Sequence, residues 1–261
     1  MGGQVRVERD GRVGWVVFDH PERRNAISGD MWRQIPEAAE TLASDASVRV
    51  VVMRGAGDRA FVSGADISEF ERTRTGATAA ADYDAVSGRA FGALAKLEKP
   101  LIALIHGFCV GGGCAIALTA DLRYAAADAV FAIPAARLGL GYAPAGLEAL
   151  ANVVGYSAAK ELFFTARHFD AGEALRMRLV NAVLPTSELD AYVRETAETI
   201  AANAPLTIRS VKRIVNELVQ PPSARDPAAL AESVRACFES DDYREGVRAF
   251  LEKRRPEFRG R

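Results

Sequence analysis

Hydrophobic and polar positions along the first two thirds of the chain follow two different periods. The short, almost fully apolar runs at residues 49–53 and 101–105 are typical of strands that are buried on both faces. Apolar residues between Met31 and Leu42 recur at helical spacing after Ser28, which is a favoured N-cap residue. From Leu147 onward the pattern is helical. Strands that alternate with helices, followed by helices alone, predict an α/β fold with a helical C-terminal section.

Turn residues and shorter apolar runs divide the chain further. Strands are predicted at residues 5–7, 13–18, 122–125 and 130–133, a helix within residues 71–99, and a loop at residues 56–64. We expect two parts, a core over residues 1–200 and a helical section over residues 201–261.

Composition and charge exclude some classes of function. Among the 261 residues, 33 basic side chains balance 34 acidic ones, and a formal net charge of −1 argues against nucleic acid as the main partner. The three cysteines lack the spacing of a metal site and predict reduced, packed thiols. The first ten residues lack the apolar stretch of a signal peptide, and three glycines interrupt the uncharged residues 100–120. We therefore expect a cytoplasmic protein without metal that neither binds nucleic acid nor enters a membrane.

Two glycine-containing loops are the strongest candidates for chemistry. Residues 61–67 follow the strand predicted at 49–53, and residues 106–114 follow the strand predicted at 101–105. Open α/β sheets bind ligands at the carboxyl ends of their strands, and a helix that begins at glycine offers unpaired N–H groups there. One amide from each loop could hold a single carbonyl oxygen, as in an oxyanion hole. Alternatively, the glycines only permit close helix–sheet packing. The spacing of a dinucleotide-binding fingerprint is absent.

Further short motifs are spread nearly from end to end of the chain. Together with the two loops they are Arg24-Asn25-Ala26-Ile27, Ser63-Gly64-Ala65-Asp66-Ile67, His106-Gly107 with the glycines 111–113, Ala120-Asp121-Leu122, Pro134 with Leu138-Gly139, Phe164-Thr165-Ala166, Ala174-Leu175, Leu179-Val180-Asn181 and Phe250-Leu251-Glu252-Lys253-Arg254. In this combination the sequence resembles the enoyl-CoA hydratase/isomerase family, also called the crotonase superfamily.

The resemblance implies a crotonase-like spiral of ββα units whose C-terminal helices join subunits into a homotrimer or homohexamer. It also implies an enzyme, nominally a lyase of fatty acid metabolism that hydrates enoyl-CoA, in which two backbone amides stabilise the enolate of an acyl-CoA thioester. By motif these donors are Ala65 and Gly112, and each such donor is typically worth about 2.7–4 kcal/mol of barrier. No separate cofactor is implied, because coenzyme A enters as part of the substrate.

The same resemblance assigns residues to coenzyme A. Its adenine and pantetheine would be held by two segments, which contribute Arg24, Ala26, Ile27, Ser63, Gly64, Asp66, Ile67 and Ser68. Phe250 and Lys253 would cover the nucleotide end from a neighbouring subunit. Residues 244–261 hold seven Arg and Lys against three Glu, a net charge of +4 that fits the CoA phosphates. A solvated helix face is the alternative interpretation.

Two residues that hydration requires are missing. Hydratases of this family carry one glutamate two residues after the three glycines and another after the proline of the next segment. This chain has Ala115 and Ala135 at those positions. General acid–base groups typically contribute about 10²–10⁴ in rate. The sequence thus keeps the backbone donors but not the usual proton-transfer groups.

Three functions remain open at this point. The first is an acyl-CoA enzyme that acts through a thioester enolate. The second is decarboxylation, because Tyr142 follows Leu138-Gly139 as in the methylmalonyl-CoA decarboxylase branch, and loss of CO₂ forms the enolate without a base. A tyrosine that only packs in the core is the alternative role for Tyr142. The third function is a non-catalytic acyl-CoA binder.

Overall fold

The computed structural model describes residues 2–69 and 77–261 of the chain. Its strands are short and lie in two sheets. They are β1 (Gln4–Asp10), β2 (Val13–Asp19), β3 (Val50–Gly55), β4 (Ala60–Val62), β5 (Leu101–Ile105), β6 (Phe108–Val110), β7 (Leu122–Ala126), β8 (Val130–Ala132), β9 (Phe169–Asp170) and β10 (Ala182–Leu184).

Helices follow the strands and dominate the C-terminal part. They are α1 (Gly29–Ser44), α2 (Ala77–Ala95), α3 (Gly112–Leu118), α4 (Ala135–Leu138), α5 (Pro144–Thr165), α6 (Ala171–Arg176), α7 (Leu189–Ala202), α8 (Pro205–Leu218), α9 (Pro227–Glu239) and α10 (Asp241–Leu251). Short 3₁₀ helices lie at Pro21–Arg23, Ile67–Glu69 and Pro222–Ala224. None of the helices within the described residues is both long and apolar enough to cross a lipid bilayer.

The two sheets are built from alternating strands of the chain. One sheet has the order β1-β2-β3-β5-β7-β10 and the other the order β4-β6-β8-β9. Beyond the antiparallel pair β1–β2, the first sheet is parallel, and β4, β6 and β8 are also parallel neighbours. Each of the pairs β3–β4, β5–β6 and β7–β8 therefore places one strand in each sheet and is followed by a helix. This confirms the predicted α/β fold of repeated ββα units.

The large sheet has a hydrophobic cluster on each face. The larger cluster packs α1 and α2 against one face, with Trp32, Ile35 and Leu42 among its buried side chains. The smaller cluster packs α7 against the opposite face and includes Trp15. Ser28 caps α1 as the sequence predicts, because its side-chain oxygen accepts a hydrogen bond from the amide of Met31 at 3.3 Å.

Polar contacts attach the C-terminal helices to the core. The ammonium of Lys212 on α8 donates hydrogen bonds to the carbonyl of Lys99 at 2.9 Å and to the carboxylate of Asp121 at 2.8 Å. Past α10 the chain turns back, and the guanidinium of Arg49 donates a hydrogen bond to the carbonyl of Phe258 at 2.6 Å. Buried Asp242 accepts the amide of Gly260 at 2.7 Å. The last residues are thereby fixed against the core.

Several sequence-based element boundaries are corrected. Residues 56–64, predicted as a loop, contain the buried strand β4, and the segment after β5 contains the additional strand β6. The strands β9 and β10 interrupt the region predicted as entirely helical. These strands have two or three residues, too few for a period to be visible. The helix predicted within residues 71–99 is α2, and residues 71–76 of that prediction lie outside the described residues.

Candidate active site

The two glycine-containing loops meet because the strands that precede them are paired. Strand β4 leads into residues 63–68, strand β6 leads into Gly111, and the two strands are parallel neighbours. Parallel neighbours end at the same edge of a sheet. The tertiary structure thus brings together two segments that are almost 50 residues apart, at the edge where ligands bind in α/β folds.

The amide of Ala65 points away from the neighbouring chain segment. A short parallel bridge joins Ile27 to Ala65, in which the amide of Ile27 donates to the carbonyl of Gly64 at 2.8 Å and the amide of Asp66 donates to the carbonyl of Ile27 at 2.9 Å. In a parallel bridge, these two bonds leave the amide of the middle residue directed to the other side. Within residues 2–69 and 77–261, the Ala65 amide has no acceptor.

Gly112 is the first residue of α3, so its amide also lacks a partner in the helix. The preceding Gly111 has a φ of 53°, a left-handed conformation that favours glycine, and donates its own amide to the carbonyl of Ala132 at 2.8 Å. A Cβ atom built on Gly113 would lie 2.1 Å from the carbonyl oxygen of Val62, so only glycine permits α3 to pack this closely on β4. The described part of the chain offers no acceptor to the amide of Gly112.

The two unbonded amides are close to each other. A Cβ atom built on Gly112 would lie 3.7 Å from the amide nitrogen of Ala65. Since backbone geometry separates N and Cβ of one residue by about 2.5 Å, the two amide nitrogens lie within roughly 6 Å. One oxygen that accepts two N–H bonds of about 2.9 Å requires donors no farther apart than this. The spacing therefore permits the predicted two-donor hole.

The residues predicted to hold the adenine and pantetheine also lie together. Besides the bridge between Ile27 and Ala65, the amide of Ser63 donates to the carbonyl of Arg24 at 3.1 Å. The guanidinium of Arg24 lies 4.5 Å from the ring centroid of Phe108 on β6. Ala26 is buried beneath this pair of segments. The structure thus joins the N-terminal motif to the first glycine-containing loop.

The outer end of this loop has its own hydrogen bonds. The carboxylate of Asp66 accepts the amide of Ser68 at 3.0 Å and its hydroxyl at 2.7 Å, and it lies 3.8 Å from the guanidinium of Arg23. Partial burial pushes the pKa of Asp66 upward, but the bonds from Ser68 and the charge of Arg23 outweigh burial and leave the pKa below its ordinary value. Asp66 therefore acts as an ionised structural residue of the loop. Ile67 and Ser68 are exposed.

The positions of the two missing glutamates lie at adjacent helix starts. Ala115 is half-buried in the first turn of α3, and Ala135 is the buried first residue of α4. The preceding strands, β6 and β8, are parallel neighbours, and a Cβ atom built on Gly111 would lie 4.0 Å from Cδ of Pro134. Both positions therefore belong to the same edge as the two amides, and each carries only a methyl group.

Tyr142 lies in the segment between α4 and α5. It is half-buried, packs against the larger hydrophobic cluster, and makes an edge-to-face contact with Phe163 at 4.8 Å between ring centroids. A Cβ atom built on Gly146 would lie 2.9 Å from its ring. The ring is thus held by packing, and a catalytic role for its hydroxyl stays a prediction.

Phe250 and Lys253 are remote from these segments within one chain. Phe250 on α10 is 83% exposed, and neither residue makes a hydrogen bond, ion pair or ring contact with residues 24–27 or 63–68 as far as the structure describes them. Part of the positive charge of the tail is neutralised internally, because Glu245 accepts hydrogen bonds from both Arg248 and Arg254.

One aromatic residue next to the amides, Trp32, was not singled out from the sequence. Trp32 on α1 has Cζ2 3.4 Å from a Cβ atom built on Gly112, and it packs with Tyr83 and Phe91 of α2. The helical spacing of the apolar residues of α1 includes position 32 only as one more core residue. That Trp32 lies beside Gly112 is known only from the fold.

The cysteines have the packing expected of reduced thiols. Sγ of Cys109 lies 4.0 Å from Sγ of Cys114, and both residues are buried, whereas Cys237 is half-buried. Burial raises the pKa of Cys109 well above its ordinary value, so its reactive thiolate is disfavoured. Among the described residues, no cluster of His, Cys, Asp and Glu has the arrangement of a metal site.

Comparison with known proteins agrees with this arrangement. The family model described as enoyl-CoA hydratase/isomerase matches residues 8–261. The chain is similar to a short-chain-enoyl-CoA hydratase from Clostridium acetobutylicum, with 36% identity over 97% of this chain and 96% of the relative. It is also similar to a crotonyl-CoA hydratase from Syntrophomonas wolfei, with 34% identity over 97% of each chain.

Solved structures show the same similarity in three dimensions. A crystal structure described as an enoyl-CoA hydratase/carnithine racemase from Magnetospirillum magneticum superposes with a TM-score of 0.95 and 38% identity, over 98% of this chain and 96% of the other. A structure described as a putative enoyl-CoA hydratase/isomerase family protein from Hyphomonas neptunium has a TM-score of 0.93 and 35% identity, over 98% of each chain.

Proposed function

We propose an acyl-CoA thioester as the substrate of this protein, starting from the fact that the chain belongs to the enoyl-CoA hydratase/isomerase family. The observation that carries the proposal is a pair of amides, Ala65 and Gly112, that lie within roughly 6 Å of each other and have no acceptor among the described residues. In this proposal the thioester oxygen lies between them and accepts both N–H groups. The negative charge that develops on that oxygen in the enolate strengthens both bonds, which lowers the barrier.

Hydration of an enoyl thioester requires more than this hole. Water must be deprotonated as it adds to one carbon, and a proton must reach the next carbon. The positions where the family carries glutamates are Ala115 and Ala135, and a methyl group transfers no proton. We expect the native protein to hydrate crotonyl-CoA at a rate about 10²–10⁴-fold below that of an enzyme with both carboxylates.

Decarboxylation is the second candidate, and the occurrence of Tyr142 shortly after Leu138-Gly139 in the sequence favours it. A thioester with a carboxylate on its α-carbon loses CO₂ when the bond between these carbons breaks, and the electron pair moves into the thioester carbonyl to form the enolate. The two amides stabilise this charge, and water then protonates the α-carbon. Tyr142 lies just before α5, and its ring packs on Phe163 near the end of that helix. In this candidate function the Tyr142 hydroxyl orients the departing carboxylate.

A neighbouring subunit completes the CoA site in this proposal. Phe250 is 83% exposed, and α8 and α10 carry further exposed apolar residues, including Val211, Val215 and Leu251. Exposed apolar patches of this kind favour subunit contacts. We propose a trimer or hexamer in which Phe250 and Lys253 cover the nucleotide end of a CoA bound to the adjacent chain. Light scattering of the purified protein measures the oligomeric state. The CoA affinity of Lys253→Ala measures how much this side chain contributes to binding of the nucleotide end.

The test is a panel of CoA thioesters with product analysis by mass spectrometry. The panel includes an enoyl, a 3-hydroxyacyl, a malonyl-type and an aromatic acyl-CoA. Loss of CO₂ from the malonyl-type thioester, slowed in Tyr142→Phe, supports decarboxylation. Micromolar binding of thioesters without turnover supports a non-catalytic binder. If neither CoA nor any thioester of the panel binds, the proposal is wrong.

Restoring the two carboxylates tests the contribution of the proton-transfer groups separately from that of the oxyanion hole. The double variant Ala115→Glu with Ala135→Glu is expected to gain crotonyl-CoA hydration by at least about 10². Ala115→Gln with Ala135→Gln is the matched control, since glutamine has similar size but no carboxylate. Rapid hydration by the native protein would contradict the role assigned here to the two alanines.

A further inference from the structure

Trp32 lies beside the two amides at the buried end of the candidate site. The carbon atoms Cζ2 and Cη2 of its indole are 3.4 and 3.7 Å from a Cβ atom built on Gly112. The same point is 3.7 Å from the amide nitrogen of Ala65. The indole edge and the Ala65 amide therefore lie on the same side of Gly112.

Two residues of α2 hold this indole in place. Its Nε1–H donates a hydrogen bond to the hydroxyl of Tyr83 at 2.7 Å. Its ring also makes edge-to-face contacts with Tyr83 at 6.2 Å and with Phe91 at 5.2 Å between ring centroids. Edge-to-face pairs of this kind stabilise the packing of the rings beyond the effect of burial alone. The indole is therefore a fixed wall rather than a side chain that rotates freely.

The solvent exposure of the surrounding residues indicates which branch of a bound thioester lies next to the Trp32 indole. A thioester whose oxygen is held by the two amides has two branches, one through sulfur to CoA and one to the acyl chain. The segments assigned to CoA lead to solvent, where Ile67 is 61% exposed, whereas Trp32 is 2% exposed. If the CoA branch follows these segments to solvent, the acyl branch is the one that points inward, toward Trp32.

We propose that Trp32 determines the acyl-chain specificity of the site by closing its inner end, and that Tyr83 positions the indole. The inference rests on the proposed function, because it concerns the acyl group of the thioester held by Ala65 and Gly112. The substrate class is then a short-chain acyl-CoA. A chain four methylenes longer finds its path blocked by the indole. Truncating the side chain to alanine opens a space for these methylenes.

The experiment measures the affinity of butanoyl-CoA and octanoyl-CoA by calorimetry, so it does not depend on turnover. Native protein is compared with Trp32→Ala, Trp32→Phe and the matched control Trp15→Phe. Trp15 lies in the cluster on the opposite face of the large sheet. We expect the affinity ratio of octanoyl-CoA to butanoyl-CoA to rise at least about tenfold in Trp32→Ala, less in Trp32→Phe, and to stay unchanged in Trp15→Phe.

A second measurement remains decisive if Trp32→Ala does not fold. The chain contains two tryptophans, so Trp15→Phe leaves Trp32 as the only indole emitter. Its fluorescence is expected to change when butanoyl-CoA binds and to change much less with free CoA, and Tyr83→Phe should shift the unliganded emission. Unchanged emission and an unchanged affinity ratio, in protein that binds butanoyl-CoA, overturn the role of Trp32 and leave the proposed function standing. If no thioester binds the native protein, the proposed function fails and this inference with it.

Discussion

Replacing Gly112 by proline removes one of the two amide donors while leaving the rest of the backbone able to keep its path. Gly112 is the first residue of α3, the helical position at which proline is best tolerated. Gly111 before it has φ and ψ of 53° and −112°, outside the helical region that a residue preceding proline avoids. No internal hydrogen bond is lost in the described part of the chain, because the Gly112 amide makes none there.

The expected loss of activity is large and the expected loss of stability small. One hole donor is worth about 2.7–4 kcal/mol, or about 10²–10³ in kcat. Proline also introduces a Cβ atom that would lie 3.4 Å from Cζ2 of Trp32 and 3.7 Å from the Ala65 nitrogen. Gly112→Ala introduces the same Cβ atom but keeps the N–H group. The ratio of the two variants therefore removes the effect of crowding by Cβ.

The assay is turnover of whichever thioester the panel identifies, together with calorimetric affinity for a CoA thioester and for the matching thioether, which lacks the carbonyl oxygen. Gly112→Pro should lose at least about 10² in kcat relative to Gly112→Ala, and its preference for thioester over thioether should disappear. Thermal unfolding of both variants checks that they are folded. Turnover of folded Gly112→Pro within about threefold of Gly112→Ala would refute an oxyanion hole at this residue.

Three further outcomes are expected. Gly113→Ala should lower Tm, because its Cβ would lie 2.1 Å from a backbone oxygen of β4 and overpacking costs about 1–3 kcal/mol. The control Gly88→Ala, at a position on α2 where a Cβ meets no described atom within 4 Å, should raise Tm slightly. Equal shifts of Tm in the two variants would contradict this reasoning. Ellman's reagent should label only Cys237 in native protein and all three thiols after denaturation, since Cys109 is buried with a raised pKa; rapid labelling of three native thiols would be inconsistent with that packing. Hydrogen bonds from Arg254 and Arg248 hold the pKa of Glu245 below its ordinary value. Its ionised form therefore stabilises the tail fully above the usual carboxyl range, and this stability is lost as pH falls from that range through the lowered pKa. Glu245→Gln should unfold more easily near pH 7 and show a weaker acid dependence, measured by denaturant titration at several pH values; an acid dependence equal to that of the native protein would contradict this.

The sequence by itself determined the long elements and the chemical inventory of the site. The spacing of apolar residues predicts the capped helix α1, and the unbroken apolar composition of β3 and β5 predicts two buried strands. Each element is long enough for its pattern to be visible in the sequence. The motifs also sufficed to identify the family and to show that Ala115 and Ala135 replace the usual glutamates. These features are local, since they depend on which residue occupies which position.

Only the tertiary structure decided how these pieces meet. Strands β4 and β6 have three residues each, and what defines them is pairing with each other across more than 40 residues of chain. That pairing brings the amides of Ala65 and Gly112 within reach of one oxygen. The role of Trp32 depends on the same pairing, because helical spacing marks it as buried but does not say which atoms it contacts. Burial can be predicted from the spacing of apolar residues along the chain. The meeting of the two amides depends on hydrogen bonds between strands that are distant in sequence, and no local repeat encodes these bonds.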